Sequence, residues 1–328
     1  MVNVPFPNQV RTVLVNFLQA RRFPEGLSDS ALGKHGNQMI MNCCIHPLMT
    51  IEMCSPDLLP NWLVMLLISL TMLVVLKSIA LLHYVGHTTV KIGARDVAGW
   101  YLAWPGLNAP GFFQSESAVL RRPAFSEWSF AIAKCLLGAL CLVEFVPLIA
   151  AWNRWVAGWV AMFGLLMLFH FGGFHLLALI WRVNGRSVQP IMNRPLLATS
   201  VNDFWSRRWN LAFRDFATQF IMRPLARRWS TSAGLWGCFV FSGLVHELAI
   251  SVPARAGFGL PFSYFLLQGV GVCIERSALS RRIGLGAGWR GWLFAFLIVG
   301  PPAAFLFHPP FLTKVVLPLV GIPEVTSC

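Results

Sequence analysis

The sequence predicts an all-α protein, a polytopic bundle of transmembrane helices, and three observations carry that prediction. Hydrophobic residues make up 56% of the 328-residue chain and charged residues 12%, about half the charge of an average soluble domain. Six windows are apolar over lengths that cross, or nearly cross, a bilayer core of about 30 Å as helices. No window alternates apolar and polar residues over about ten positions, as a membrane-spanning β-strand does.

Taken in order, residues 1–57 form an N-terminal segment without clear spanning character. Within it, MIMNCCIHPLMTIEMC (39–54) is a candidate for an extra crossing or half-crossing. Residues 58–328 read as one multi-pass membrane domain with windows at 61–83, 127–151, 156–181, 233–253, 260–274 and 291–307. The start lacks the basic, apolar and small-residue order of a secretory signal, so insertion is expected to rely on the first spanning helix. The eight cysteines have no C-x-x-C spacing and lie mostly in apolar windows, as small core residues do.

The net charge of +13 is distributed as a membrane topology rather than as a nucleic-acid footprint. Nine Arg fall between 182 and 228. With that loop cytoplasmic, strict alternation puts 84–126 and 275–290 on the same side with four Lys/Arg each, and leaves one each for the opposite turns 152–155 and 254–259. This is the positive-inside pattern. Only Arg11, Arg21, Arg22 and Lys34 depart from it. The expected partners are membrane lipids and an anionic ligand, with no nucleic acid.

The loop between Trp181 and Ala233 contains NDFWSRRWNLAFRDFATQFIMRPLARRW. At 100° per residue, Trp205, Trp209, Ala212, Phe213, Phe216 and Phe220 share one helix face, and Arg207 and Arg214 point the opposite way. The pattern predicts one amphipathic helix over about 203–221, capped by Asn202 or Asp203 and ended by Pro224. Asn210 sits at the border of the two faces. Such a helix rests on anionic headgroups or packs into the bundle, and its length and aromatic content favour packing, since helix connections usually take about 2–8 residues. Arg pairs bidentately with phosphate, so Arg207 and Arg208 are candidate ligands for a cytosolic polyanion such as coenzyme A.

His246 is the fourteenth residue of the window that starts at Ala233, about 20 Å along a helix. Ionisable groups at that depth cost on the order of 3 kcal/mol and usually face the bundle interior or a wet cavity. Neighbours on a helix point about 100° apart, so His246 and Glu247 each need a partner elsewhere. The other histidines raise metal chemistry as an alternative. HYVGH (83–87) has the i, i+4 spacing that places two imidazoles on one ion, and HFGGFH adds His170 and His175. A membrane di-iron oxidase needs about eight His in boxes with an adjacent pair, whereas this chain has eight in all and no His-His. HELAI lacks the second His of a zinc-protease helix, and five Asp in the whole chain leave no room for paired Asp-rich prenyltransferase motifs. The chemistry narrows to a metal-free reaction.

NDFWSRRWN, ending at Asn210, and GLVHELAIS, containing His246 about 35 residues later, resemble the membrane-bound O-acyltransferases, in particular their wax-synthase-like branch. Softer similarity extends through NWLVMLLISLTMLVVLK (61–77), AWPGLN (103–108), HFGGFHLLALIWRVNG (170–185) and NRPLLATS (193–200), so that it covers roughly 58–310. Residues 1–57 depart from the hydrophobic N-terminal crossings usual in the family, and Ser206 stands where the branch often has Gly. The resemblance implies a bundle with a central tunnel, an acyl-CoA co-substrate entering from the cytoplasm, no cofactor, and a lipophilic alcohol acceptor entering from the membrane. It implies His246 as catalytic base and Asn210 as its companion, with Trp205, Arg207, Arg208, Trp209 and Glu247 as substrate-binding candidates. An imidazole suits the removal of an alcohol's proton near neutral pH, and a buried amide suits a developing oxyanion. A transporter or a lipid-binding pseudoenzyme with a polar intramembrane cavity is the alternative reading.

Overall fold

The computed structural model describes residues 59–89, 92–114 and 122–324. The extra crossing considered at 39–54 lies outside the described residues. Five helices are long and apolar enough to cross a membrane: α1 (Asn61–Val85), α4 (Phe125–Ala150), α5 (Arg154–Val183), α8 (Thr231–Ala254) and α11 (Gly288–Leu306). Between them lie α2 (Ala94–Ala103), α3 (Ala109–Phe113), α6 (201–208), α7 (211–228), α9 (Leu260–Arg276), α10 (Ala278–Ile283) and α12 (Pro309–Leu319). Among the described residues there is no β-strand. The protein is an integral multi-pass membrane protein.

The helices are apolar outward as well as inward. Leu67, Leu70, Val74 and Leu82 on α1, and Phe130, Leu136, Val143 and Leu148 on α4, are exposed, which suits a surrounding of lipid tails. α8 is the most buried of the five spans and packs on α9. The contact is close because Gly243 of α8 faces the Phe262 ring and Gly269 of α9 faces the Trp236 ring, leaving no room for a Cβ at either place. The sixth apolar window, 260–274, becomes α9, whose 17 residues span about 25 Å. Tyr264, Phe265, Gln268, Val272 and Glu275 of α9 are buried, so it forms the interior wall of the bundle.

Two buried charges tie loops to helices. Lys77 of α1 is fully buried, donates to the Gly106 carbonyl at 2.9 Å and lies 3.7 Å from the centre of the Trp100 ring, so a carbonyl dipole and a cation–π contact replace its hydration. Glu275, near the end of α9, accepts from the backbone N–H of Val201 and, at 3.0 Å, of Asn202. This carboxylate occupies the N-terminal donors of α6, where a negative charge is favoured.

α4 and α5 approach through small residues, as membrane helices commonly do. A Cβ on Gly138 would collide with the Leu168 amide and the Gly164 carbonyl, both backbone. Gly138→Val therefore lowers the thermal midpoint in detergent, by the equivalent of about 1–3 kcal/mol for overpacking, whereas Leu137→Val on the exposed face leaves it close to wild type.

Candidate active site

The site is built where a helix breaks. The single amphipathic helix expected over 203–221 is two helices, because Trp209 is extended (φ −100°, ψ 128°) and Asn210 takes a left-handed conformation (φ 41°, ψ 62°). Asn is among the few residues that adopt it at low cost. Ser200, rather than Asn202 or Asp203, caps the first piece by accepting from Asp203 N–H at 2.9 Å. Pro224 does not end the second piece, since the preceding π-turn Thr218–Met222 alters the backbone pairing and the helix continues to Arg228. The segment 191–193 splints the break: Asn193 N–H donates to Arg208 O at 2.8 Å and Leu211 N–H to Ile191 O at 2.9 Å, while Asn210 N–H meets the Met192 sulfur at 3.3 Å.

Asn210 caps α7, its Oδ1 accepting from Phe213 N–H at 3.2 Å. Because the carbonyl end is held this way, the amide NH2 is the end left over, and it has no partner among the described residues. From there α7 runs antiparallel to α8, the two joined through Trp229 and Ser230, whose hydroxyl caps α8 at Ala233. The pairing can be followed inward from that turn. Met222 lies on Gly234, the Cys238 thiol donates to Ala217 O at 3.6 Å, and Phe213 stacks on Phe241 at 5.6 Å. One turn further, Asn210 reaches the level of His246.

Both residues line one cavity of about 330 Å³. Along α8 it is bounded by Leu235, Cys238, Phe239, Ser242 and His246, and along α9 by Phe265, Val272 and Arg276. Eleven residues separate Leu235 from His246, as they do Phe265 from Arg276, so the slot is about 16 Å long at 1.5 Å per residue. Trp205, Trp209 and Phe213 form its third wall, and Asn202, Ser206 and Arg276 make one end polar. His246 and Phe265 close the other end, their rings 4.4 Å apart.

The hydrogen bond of His246 decides its chemistry. Nδ1 lies 2.7 Å from the Ser242 carbonyl oxygen, an acceptor only, so Nδ1 carries the proton and Nε2 is the bare nitrogen. Nε2 has no partner among the described residues. The arrangement supplies a fixed proton acceptor and, from Asn210, an amide donor on the same slot.

The remaining candidates divide. Trp205 lines the slot and donates its indole N–H to Gln268 Oε1 at 3.2 Å. Trp209 lines it too, stacked on Phe204 at 5.4 Å. Arg207 is exposed and is not among the lining residues. Arg208 pairs with Asp203 at 2.5 Å and donates to Arg194 O at 3.2 Å, so it braces the break. Glu247 accepts from Gly259 N–H at 2.7 Å and Phe262 N–H at 3.2 Å, which makes it the cap of α9. His246 and Glu247 do find separate partners. Phe265 and Arg276 are lining residues that the sequence pattern did not single out, and Arg214, which the pattern placed opposite the aromatic face, lines the slot as well. Arg214 comes round to the slot because the break resets the helical phase, and the α9 residues offer no local signal.

Residues 188–267 match the model of the membrane bound O-acyl transferase family, a range that holds every lining residue of the slot except Val272 and Arg276. Probable long-chain-alcohol O-fatty-acyltransferase 7 of Arabidopsis thaliana is 30% identical over 139 residues, 38% of this chain and 40% of that protein. The long-chain-alcohol O-fatty-acyltransferase of Simmondsia chinensis is 33% identical over 113 residues, 31% of this chain and 32% of that protein. Acyl-CoA–sterol O-acyltransferase 1 of Arabidopsis thaliana is 28% identical over 137 residues, 38% and 39% of the two chains. The chain thus spans 32% to 40% of the length of these curated relatives.

Asn210 has a backbone role that can be separated from any chemistry. Asn210→Gly keeps the left-handed turn and loses the side-chain cap at a cost of a few tenths of a kcal/mol, whereas Asn210→Ala also meets the Cβ cost in the left-handed turn, about 1–2 kcal/mol in all. Thermal unfolding in detergent is expected to rank wild type, Gly and Ala in that order. Residues 188–267, with Asn210 and His246 inside them, match the membrane bound O-acyl transferase family model, and the chain's likeness is to the wax-synthase-like branch of that family, the long-chain-alcohol O-fatty-acyltransferases.

Proposed function

We propose that the protein transfers a fatty acyl group from acyl-CoA to the hydroxyl of a lipophilic alcohol inside the membrane, giving a wax-ester-like or other neutral lipid ester. The observation that carries this reading is the pairing of a bare imidazole nitrogen and an unused amide N–H on one mostly apolar slot. His246 Nε2 accepts the alcohol's proton as its oxygen attacks the thioester carbonyl carbon. The carbonyl oxygen becomes an oxyanion and receives the Asn210 N–H, in a setting where such a donor is worth a few kcal/mol. Collapse of the intermediate breaks the C–S bond, and the CoA thiolate takes the proton from the imidazolium. The aromatic walls exclude water, which would otherwise hydrolyse the thioester.

The names of the relatives support the acceptor class, long-chain alcohols in two cases and a sterol in one. A donor arm lying along the slot has its thioester at His246 and its polyanionic end at the mouth beside Arg276. In a detergent assay with radiolabelled acyl-CoA and a panel of alcohols, wild type is expected to release CoA and form neutral ester. His246→Ala loses about 10²-fold or more with insertion intact. Asn210→Asp keeps the cap and the turn but removes the amide donor, so it loses turnover without losing stability. Wild-type turnover in either variant, or no CoA release by wild type with any alcohol, would favour a lipid-binding role instead.

The donor's placement is checked by charge reversal. Arg276→Glu is expected to raise KM for acyl-CoA on the order of tenfold, the scale of one charge-assisted hydrogen bond. Arg227→Glu and Arg228→Glu, at the far end of α7, leave KM unchanged. Equal effects at all three positions would point to headgroup attraction.

A further inference from the structure

The HYVGH stretch takes no part in the chemistry above, and its geometry is that of a chelate. His83 and His87 lie one helical turn apart at the end of α1, where Gly86 keeps right-handed helical geometry (φ −67°, ψ −13°). Their rings have centroids 4.3 Å apart and are tilted by 42°. Two imidazoles bound to one ion at about 2.0–2.1 Å, with a bond angle of roughly 90° to 110°, have centroids about 4.5–5 Å apart. The observed centroid separation lies close to that range. His87 Nδ1 lies 2.7 Å from the His83 carbonyl oxygen, so it carries the proton, and Nε2 is the nitrogen that offers a lone pair. An imidazole fixed through its other nitrogen in this way is the usual arrangement of a metal-ligating histidine.

The surroundings favour a cation. The pair opens on a cavity of about 210 Å³ that Gln114, Gln219, Thr88 and Tyr84 also line, so side-chain oxygens share its wall with the two rings. The carbonyl end of a 25-residue helix adds the negative pole of its dipole. Both histidines are exposed and lie at the end of a span, within reach of an aqueous ion.

We infer that His83 and His87 form a two-imidazole site for a borderline divalent transition metal such as Zn²⁺, Cu²⁺ or Ni²⁺, completed by water or by the amide oxygens of Gln114 and Gln219. Nitrogen donors with oxygen completion select this class over Mg²⁺ and Ca²⁺. The site stands apart from the slot but shares a wall with it. Phe220 meets the His83 ring edge-on at 5.3 Å and Gln219 lines the chelate cavity, while Thr218 and Met222 of the same π-turn line the slot. A bound ion thus braces the outer side of that wall. The inference does not rest on the proposed acyl transfer.

The test is direct binding to the tag-free full chain in detergent micelles. Titration with Ni²⁺ by calorimetry is expected to give one site per chain, and Cu²⁺ is expected to give an electron paramagnetic resonance spectrum with two nitrogen ligands. His83→Ala and His87→Ala should each weaken binding on the order of tenfold or more, and the double variant should remove the two-nitrogen signal. Both side chains are exposed, so the variants are expected to fold, and wild-type thermal midpoints check this. Unchanged affinity in the double variant, or a spectrum with a single nitrogen ligand, overturns the site.

Discussion

Backbone that leaves helical geometry inside a membrane bundle must find partners for its N–H and carbonyl groups within the protein. At Trp209 and Asn210 the partners come from 191–193 on one side and from the Asn210 side chain on the other. The rest of the site follows from this constraint. The break ends α6, starts α7 and leaves α7 free to lie antiparallel along α8. Without the splint the two carbonyls and amides at the break would face an apolar cavity unpaired, and one continuous helix would be the lower-energy course.

The splint is itself held from a distance. Arg208 joins the break to Asp203 and to the Arg194 carbonyl, and Glu275 fixes the N-terminal donors of α6 to the end of α9. Trp205 adds a hydrogen bond to Gln268, which in turn donates to the Ile298 carbonyl at 2.9 Å. Two walls of the slot, α6 and α9, are therefore joined by polar contacts as well as by aromatic packing, and α11 is tied to α9. Such contacts are strongly directional where water is scarce, and they set the spacing of walls that apolar packing alone would leave adjustable.

The spanning helices were legible because hydropathy over twenty residues is a property of the local sequence. Five of the six windows are spans by length and apolar composition, and the sixth, 260–274, is a 17-residue helix whose burial depends on what surrounds it. The 100° projection failed past Asn210, because a left-handed residue resets the phase and the π-turns at 204–208, 218–222 and 247–251 each shift it again. That is why Arg214, opposite the aromatic face in the projection, lines the slot, whereas Arg276 lies on another helix where nothing local marks it. Arg208 and Glu247 carried charges that suggested ligand contacts, but their partners are a carboxylate five residues away and the amides of a following helix. Neither is visible without the fold.

The proton position on His246 has a consequence for how the site tolerates change. Its orienting partner is the main-chain carbonyl of residue 242, not a side chain. Any amino acid at 242 that keeps the helix supplies that carbonyl, so substitutions there leave the imidazole's tautomer as it is. A histidine held by an aspartate loses its orientation with one codon change. Here the orientation is a property of the helix, and genetic drift can erase it only by unwinding α8.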